Sequence, residues 1–252
     1  MKSKSALALT FLALNAFPLA SAQGPDSRRS TSAKFLYKTT LVQAAPGRLL
    51  DLIDIYKQQA AQIEAATGDA PPLWMRHSQG DHWDLLLLYP VERYAEYYRP
   101  DRIAKREKFS QAWAERMNRD VAWSEDVFAY GPSLEMVKAA FATAGFFHVE
   151  MFVALAEKRE QLIQQREMEN AYSKSLKLTE NLIFTRDQGA AWDAFTIGCY
   201  RNLKHYAESG DIPRQDAETA ARAAGFESAS AIGPYLRTLI SSHHDTLAVA
   251  IP

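Results

Sequence analysis

One pattern is written twice in this chain. Gln79-Gly80-x-x-Trp83-Asp84 stands just before an apolar run, and Gln188-Gly189-x-x-Trp192-Asp193 stands before another 109 residues later. Further on, Tyr94-Ala95-Glu96 meets Tyr206-Ala207-Glu208, so a short insertion in the second copy accounts for the drift. A repeat of this period limits the fold to one unit and the ways in which two copies can close on each other.

Laid over one another, the copies agree element by element. Phe35 to Val42 falls on Phe146 to Val153, two short β-rich runs. Each is followed by apolar residues at helical spacing: Leu49, Leu52, Ile53, Tyr56 and Ile63 in the first copy, and Leu162, Met168, Tyr172 and Leu176 in the second. Two extended runs joined by a glycine-containing turn come next, Leu73 to His77 with Trp83 to Tyr89, then Leu182 to Arg186 with Trp192 to Tyr200. These spacings predict hairpins, with Gly80 and Gly189 supplying a positive φ at the bend. Helical material is expected from Val91 to Trp123 and from Asn202 to His243, with Pro213 starting a helix and Gly225 ending it. The short runs Ser124 to Pro132 and His244 to Pro252 close the copies.

Each half therefore reads strand, helix, strand, strand, helix, strand, a split βαβ arrangement with one bare sheet face. Two such halves can bury those faces against each other. The expected fold class is α+β, with two fused ferredoxin-like βαββαβ repeats forming one α+β barrel and helices outside. The expected organisation is a signal peptide over 1–22, a disordered leader over 23–33, a first half over 34–132, a connecting segment over 133–145 and a second half over 146–252.

Lys2 and Lys4 precede an apolar stretch that ends in Ala20-Ser21-Ala22, the pattern of a secretory leader. The expectation is export, to the periplasm or the extracellular space, with no membrane span after cleavage. Lys and Arg number 29 against 30 Asp and Glu, so no basic field suggests nucleic acid. The single cysteine, Cys199, lies in an apolar run and is read as a buried small hydrophobe. Neither a Gly-rich phosphate loop nor a His-Glu-x-x-His, a zinc-type Cys pair or a Gly-x-Ser-x-Gly elbow occurs, which weighs against nucleotide-dependent, zinc-peptidase and serine-hydrolase chemistry.

In element order and in the repeated Gln-Gly-x-x-Trp-Asp, the chain resembles the dimeric α+β barrel superfamily. That group includes NIPSNAP-like proteins, antibiotic-biosynthesis-type monooxygenases and haem-dependent chlorite dismutases. The resemblance covers nearly all of 34–252 and implies a fold and a place to look, without a catalytic signature to carry over.

Candidate chemistry lies where the copies disagree. In Phe146 to Ala154, the face carrying Phe147, Val149, Met151 and Val153 is wholly apolar and is assigned to the helices. Phe146, His148, Glu150 and Phe152 are assigned to the barrel interior, opposite Phe35, Tyr37, Thr39 and Leu41. His148 is then a candidate general base oriented by Glu150, with Tyr37, Thr39, Phe146 and Phe152 as ligand-binding residues. The alternative for His148 and Glu150 is a satisfied buried network. Glu169 falls on the apolar arc of its helix, where an ion pair with Arg166 is expected. His243, His244 and Asp245 are read as a helix C-terminus, and His77, Asp81 and His82 as turn residues. No metal site is assigned, and the cofactor is left unknown.

The leading expectation is a protein that binds a small apolar or aromatic ligand between the two sheet faces. If it is an enzyme, it would be a cofactor-independent oxidoreductase or isomerase. One rival is a haem or metal protein using His148, His243 or His244, and another is a structural or partner-binding protein with a filled barrel. A homo-oligomer is left open.

Overall fold

A computed structural model describes residues 34–251; the expected leader and signal peptide lie outside the described residues. The first half runs β1 (Phe35–Ala44), α1 (Leu49–Thr67), β2 (Leu73–Gln79), β3 (Leu85–Glu92), the short α2 (Tyr94–Tyr97), α3 (Pro100–Asp120) and β4 (Val121–Gly131). After α4 (Leu134–Ala142), the second half runs β5 (Phe146–Ala154), α5 (Arg159–Ser175), β6 (Leu182–Gly189), β7 (Ala194–Tyr200), α6 (Leu203–Ala207), α7 (Arg214–Ala223), α8 (Ile232–Arg237) and β8 (Ile240–Ala250). The eight strands close into an antiparallel barrel in the order β1-β3-β2-β8-β5-β7-β6-β4. No helix among the described residues is long and apolar enough to cross a membrane.

The two halves meet along two seams, β2 on β8 and β4 on β6. The repeated motif sits on these seams. Gly80 has φ 121°, and a Cβ there would lie 2.2 Å from the Asp245 carbonyl oxygen of the opposite half; Gly189 has φ 83° and the same relation, at 2.4 Å, to Asp126. The glycines are therefore required twice over, by conformation and by close approach. The aspartates of the motif finish a neighbouring strand, since Asp84 Oδ2 accepts from the Ala44 amide at 2.8 Å and Asp193 Oδ2 from the Ala154 amide at 2.9 Å. The strands after each turn begin two residues beyond Trp83 and Trp192, whose rings enter the barrel core.

That core is packed with large side chains. Tyr37, Trp83, Phe147, Phe184 and Phe195 are fully buried, and Phe184 stacks on Phe195 with ring centroids 4.4 Å apart. Met75, Met151, Leu86, Leu88 and Trp192 fill the remainder. The interior expected to hold a ligand is a hydrophobic core of interdigitated rings and aliphatic chains.

The face assignment of β5 is overturned. Phe147, Val149 and Met151 point into the barrel, whereas Phe152 packs outside with Leu162, Leu236 and Ile240. Phe146 and His148 lie against Tyr206 of α6. The cause is a register slip of one residue. Because Asp84 and Asp193 cap equivalent amides, Ala44 matches Ala154; Lys38 then matches His148 and Thr40 matches Glu150. A shift of one residue exchanges every side chain between faces. Tyr37 and Thr39 do lie in the interior, Tyr37 donating from its hydroxyl to the Pro132 carbonyl at 2.8 Å. They are separated by the sheet from Phe146, His148, Glu150 and Phe152, so those six residues do not line one pocket.

The closing strands also begin earlier than the sequence suggests, at Val121 and Ile240. His243, His244 and Asp245 therefore lie within β8, not at a helix terminus, and His243 and His244 face opposite sides of the sheet.

Candidate functional site

With the barrel filled, open space lies between the outer face of the first half's sheet and its helices. A cavity of ≈ 420 Å³ is bounded below by β1, β3 and β4 and above by α1 and α3. That is within the size range of small-molecule sites. The helices supply it through stripes at helical spacing, Tyr56, Gln59, Ile63 and Thr67 from α1 and Arg106, Phe109, Ser110, Trp113 and Met117 from α3. From the sheet come Lys38 and Thr40, Tyr89, Ser124 and Asp126. Tyr56 and Trp113 are buried, whereas Ser110, Ala114, Ser124 and Asp126 are exposed, so the cavity opens between α3 and β4.

Polar groups stand at defined points among aromatic walls. At the β1–β4 wall, Lys38 Nζ lies 3.1 Å from Asp126 Oδ2, and Thr40 Oγ1 donates to Asp126 Oδ1 at 2.5 Å. Lys38 also sits over the Tyr89 ring, 5.4 Å from its centroid. Burial, with the Asp126 carboxylate second, raises the Tyr56 phenol well above its ordinary value. Tyr89 is raised likewise by burial, then by Tyr56, Asp126 and Tyr97. Both phenols thus stay neutral and keep a proton to donate. At the other polar point, Arg106 covers the Tyr97 ring at 3.8 Å and approaches Asp69 at 3.4 Å.

The equivalent space in the second half is occupied by side chains. Arg166 takes the place of Tyr56 and is almost wholly buried, its guanidinium 3.3 Å from Glu150, 2.6 Å from Glu169 and 4.7 Å from the centroid of Phe152. Its Nε donates to Gln165 at 2.7 Å, and Thr196 donates to Glu150 at 3.1 Å. Where Tyr89 stands in the first half the second has Gly198, and the room is filled by Asn181 and Tyr200. The expected Arg166–Glu169 pair is present. Burial raises the Glu169 carboxyl, partly offset by Arg166.

Glu150 does not orient His148. The partner of His148 is Asp245, whose Oδ1 is 3.4 Å from Nε2, and the other oxygen of Asp245 lies 3.0 Å from His243 Nε2. The hydrogen bond from His148 is the largest influence holding the Asp245 carboxyl below its usual range. Each of the three histidines is engaged by protein neighbours. Tyr206 packs on the His148 ring at 5.4 Å, His243 Nδ1 accepts from Arg237 at 2.8 Å, and His244 lies on the opposite face beside Asp81. Among the described residues no three His, Cys, Asp or Glu side chains converge as a metal site. Cys199, expected to be buried, is only partly so, packing against the barrel core, and desolvation pushes its thiol up to about 12.

Lys38, Thr40, Tyr89, Arg106, Trp113 and Asp126 carry no site motif in the sequence, and Tyr56 stands there only as one of the apolar residues of α1. The signal for them was the second face of Phe35 to Val42, which alternates Lys38 and Thr40 with the apolar set, together with the aromatic stripe of α3.

The sequence matches no protein-family model and no curated protein. Solved structures do share its shape. An anthrone oxidase-like protein superposes with a TM-score of 0.57 at 9% identity, covering 87% of this chain and 92% of that one. A candidate monooxygenase from Lactobacillus acidophilus gives 0.53 at 10% identity, over 86% and 93%. A candidate chlorite dismutase gives 0.50 at 10% identity, over 86% and 95%. What they share with this chain is the fold, a mixed α+β arrangement of an eight-stranded antiparallel sheet with helices. In this chain both halves of the barrel belong to one polypeptide, and the cavity lies beneath the helices of the first.

Proposed function

We propose that this protein binds a small, planar, mainly aromatic molecule in the first-half cavity, between the sheet and helices α1 and α3. The observation that carries the reading is the ≈ 420 Å³ space walled by Tyr56, Tyr89, Tyr97, Phe109 and Trp113, with polar groups placed at separate points. Aromatic walls give large contact area, while a few fixed polar groups orient the guest. Lys38 and Asp126, paired at the β1–β4 wall, are a cation and a base for a ligand hydroxyl: Asp126 accepts its proton, and Lys38 offsets the resulting oxyanion. The similarity to an anthrone oxidase-like protein and to a candidate monooxygenase makes oxidation of an aromatic substrate the activity to assay first.

Binding is tested by titrating polycyclic phenols and quinones against tryptophan fluorescence, with Trp113→Phe as the control for the reporting residue. Saturable quenching that Ala114→Trp abolishes by filling the cavity is the expected result. Quenching that survives both substitutions would place the ligand elsewhere. Oxygen uptake with the tightest-binding phenols then tests turnover, and Asp126→Asn should remove it while binding persists.

A further inference from the structure

Beside the cavity stands a charge cluster with one cation in excess. At the α1–α3 end, two guanidinium groups share one carboxylate: Arg102 lies 2.5 Å from Asp69 Oδ1, while Arg106 is 3.4 Å from its nearest carboxylate oxygen. The shorter contact belongs to Arg102, and Arg106 is the one that lines the cavity. The other charged pair in the lining, Lys38 with Asp126, is balanced. Counting these groups leaves one positive charge in excess beside Tyr97.

The arrangement is held in place before any ligand arrives. Gly68 ends α1 with φ 79°, and its carbonyl accepts from Arg102 at 2.9 Å. The Asp69 amide donates at 3.0 Å to the buried Thr67 hydroxyl, which itself donates to the Ile63 carbonyl at 2.7 Å. Arg106 donates to the Tyr97 carbonyl and lies over the Tyr97 ring. A guanidinium so fixed, with donors remaining, in a part-enclosed aromatic space favours a planar anionic group.

From this we infer that the ligand is an aromatic acid, a ring system bearing a carboxylate or sulfonate that faces Arg106. The inference rests on the proposed use of this cavity for an aromatic guest and adds the charge of that guest. Dispersion against the aromatic walls would seat the ring system, and Arg106 would set which end enters first.

Two probes that differ in one group test the charge. Anilinonaphthalenesulfonate is anionic, and phenylnaphthylamine is the same ring system without the sulfonate; both report binding by fluorescence. The native protein should bind the anionic probe roughly tenfold more tightly, as expected for one charge-assisted contact. Arg106→Gln should abolish that preference. Asp69→Asn, which removes the counter-charge and keeps an acceptor for Arg102, should widen it. Opposite shifts in one ratio cannot come from general loss of folding. A ratio near one in the native protein, or one that neither substitution moves, overturns the aromatic-acid inference even where Ala114→Trp blocks both probes and the cavity reading stands. Failure of both probes to bind, or binding indifferent to Ala114→Trp, overturns the cavity reading and this inference together.

Discussion

The same architectural space occurs twice in this molecule and is used in opposite ways. Beneath α1 and α3 it is a cavity with Tyr56, Tyr89 and Gln59 on its walls. Beneath α5 the equivalents of Tyr56 and Gln59 are Arg166 and Glu169, and a charge network occupies the space. The backbone plan is shared, so the difference lies in a few side chains at matched positions. Once the arginine is inside, Glu150, Glu169 and Gln165 are needed to satisfy it, with Thr196 donating to Glu150, because a buried cation without partners is costly. One half invested its sheet–helix layer in internal ion pairing and the other left it open.

That contrast predicts unequal responses to matched substitutions. Arg166→Met leaves Glu150 and Glu169 without their cation and should destabilise the protein by about 3–5 kcal/mol in denaturant unfolding. Tyr56→Phe at the matched site removes only a hydroxyl facing the cavity and should cost under about 1 kcal/mol. Similar losses at the two sites would break the comparison.

The seams should behave alike where the sheet–helix layers do not. Gly80→Ala and Gly189→Ala each place a Cβ against a carbonyl oxygen of the other half and strain a positive φ. Each should cost about 2–4 kcal/mol, equal within about 1 kcal/mol. A tolerant Gly189 beside an intolerant Gly80 would show that the seams are not equivalent.

A smaller effect is expected at Asp245, the second-half counterpart of Asp126. Its carboxyl is depressed in the folded state, first by the hydrogen bond from His148. A depressed acid contributes its stability in full above the unfolded carboxylate value and loses it as pH falls through the folded one. Asp245→Asn should therefore lower the thermal midpoint slightly at about pH 7, by the equivalent of less than about 1 kcal/mol because the group is half exposed. The difference from the unsubstituted protein should shrink towards about pH 3. A difference that grows on acidification contradicts the assignment.

The hairpins and their glycines were legible because turn chemistry and alternation are local. The closed barrel was legible because two copies of a half-buried sheet have few other ways to cover themselves. The site was lost at one residue of alignment. Matching Phe35 to Phe146 looked natural because both strands open on aromatic residues, yet Leu52 over Leu162 already implied the other register, with Ala44 on Ala154. In β5 both faces carry large apolar residues, since it is covered by core on one side and helices on the other, so alternation gave no warning. The same double coverage hid the pairing of His148 with Asp245, which comes from β8 and is remote in sequence. In the basic stretch Arg99 to Lys108, Lys105 and Lys108 are exposed, but Arg102 and Arg106 turn inward to Asp69, a contact that only the packing of α3 on α1 creates.

The first-half cavity is where a ligand is expected to sit. A crystal structure with phenylnaphthylamine bound tests this most directly. Density for the rings between α1 and α3, against Tyr56, Tyr89 and Trp113, is the predicted result; density within the barrel beside Tyr37 and Phe147, or beneath α5 with Arg166 displaced, would contradict it.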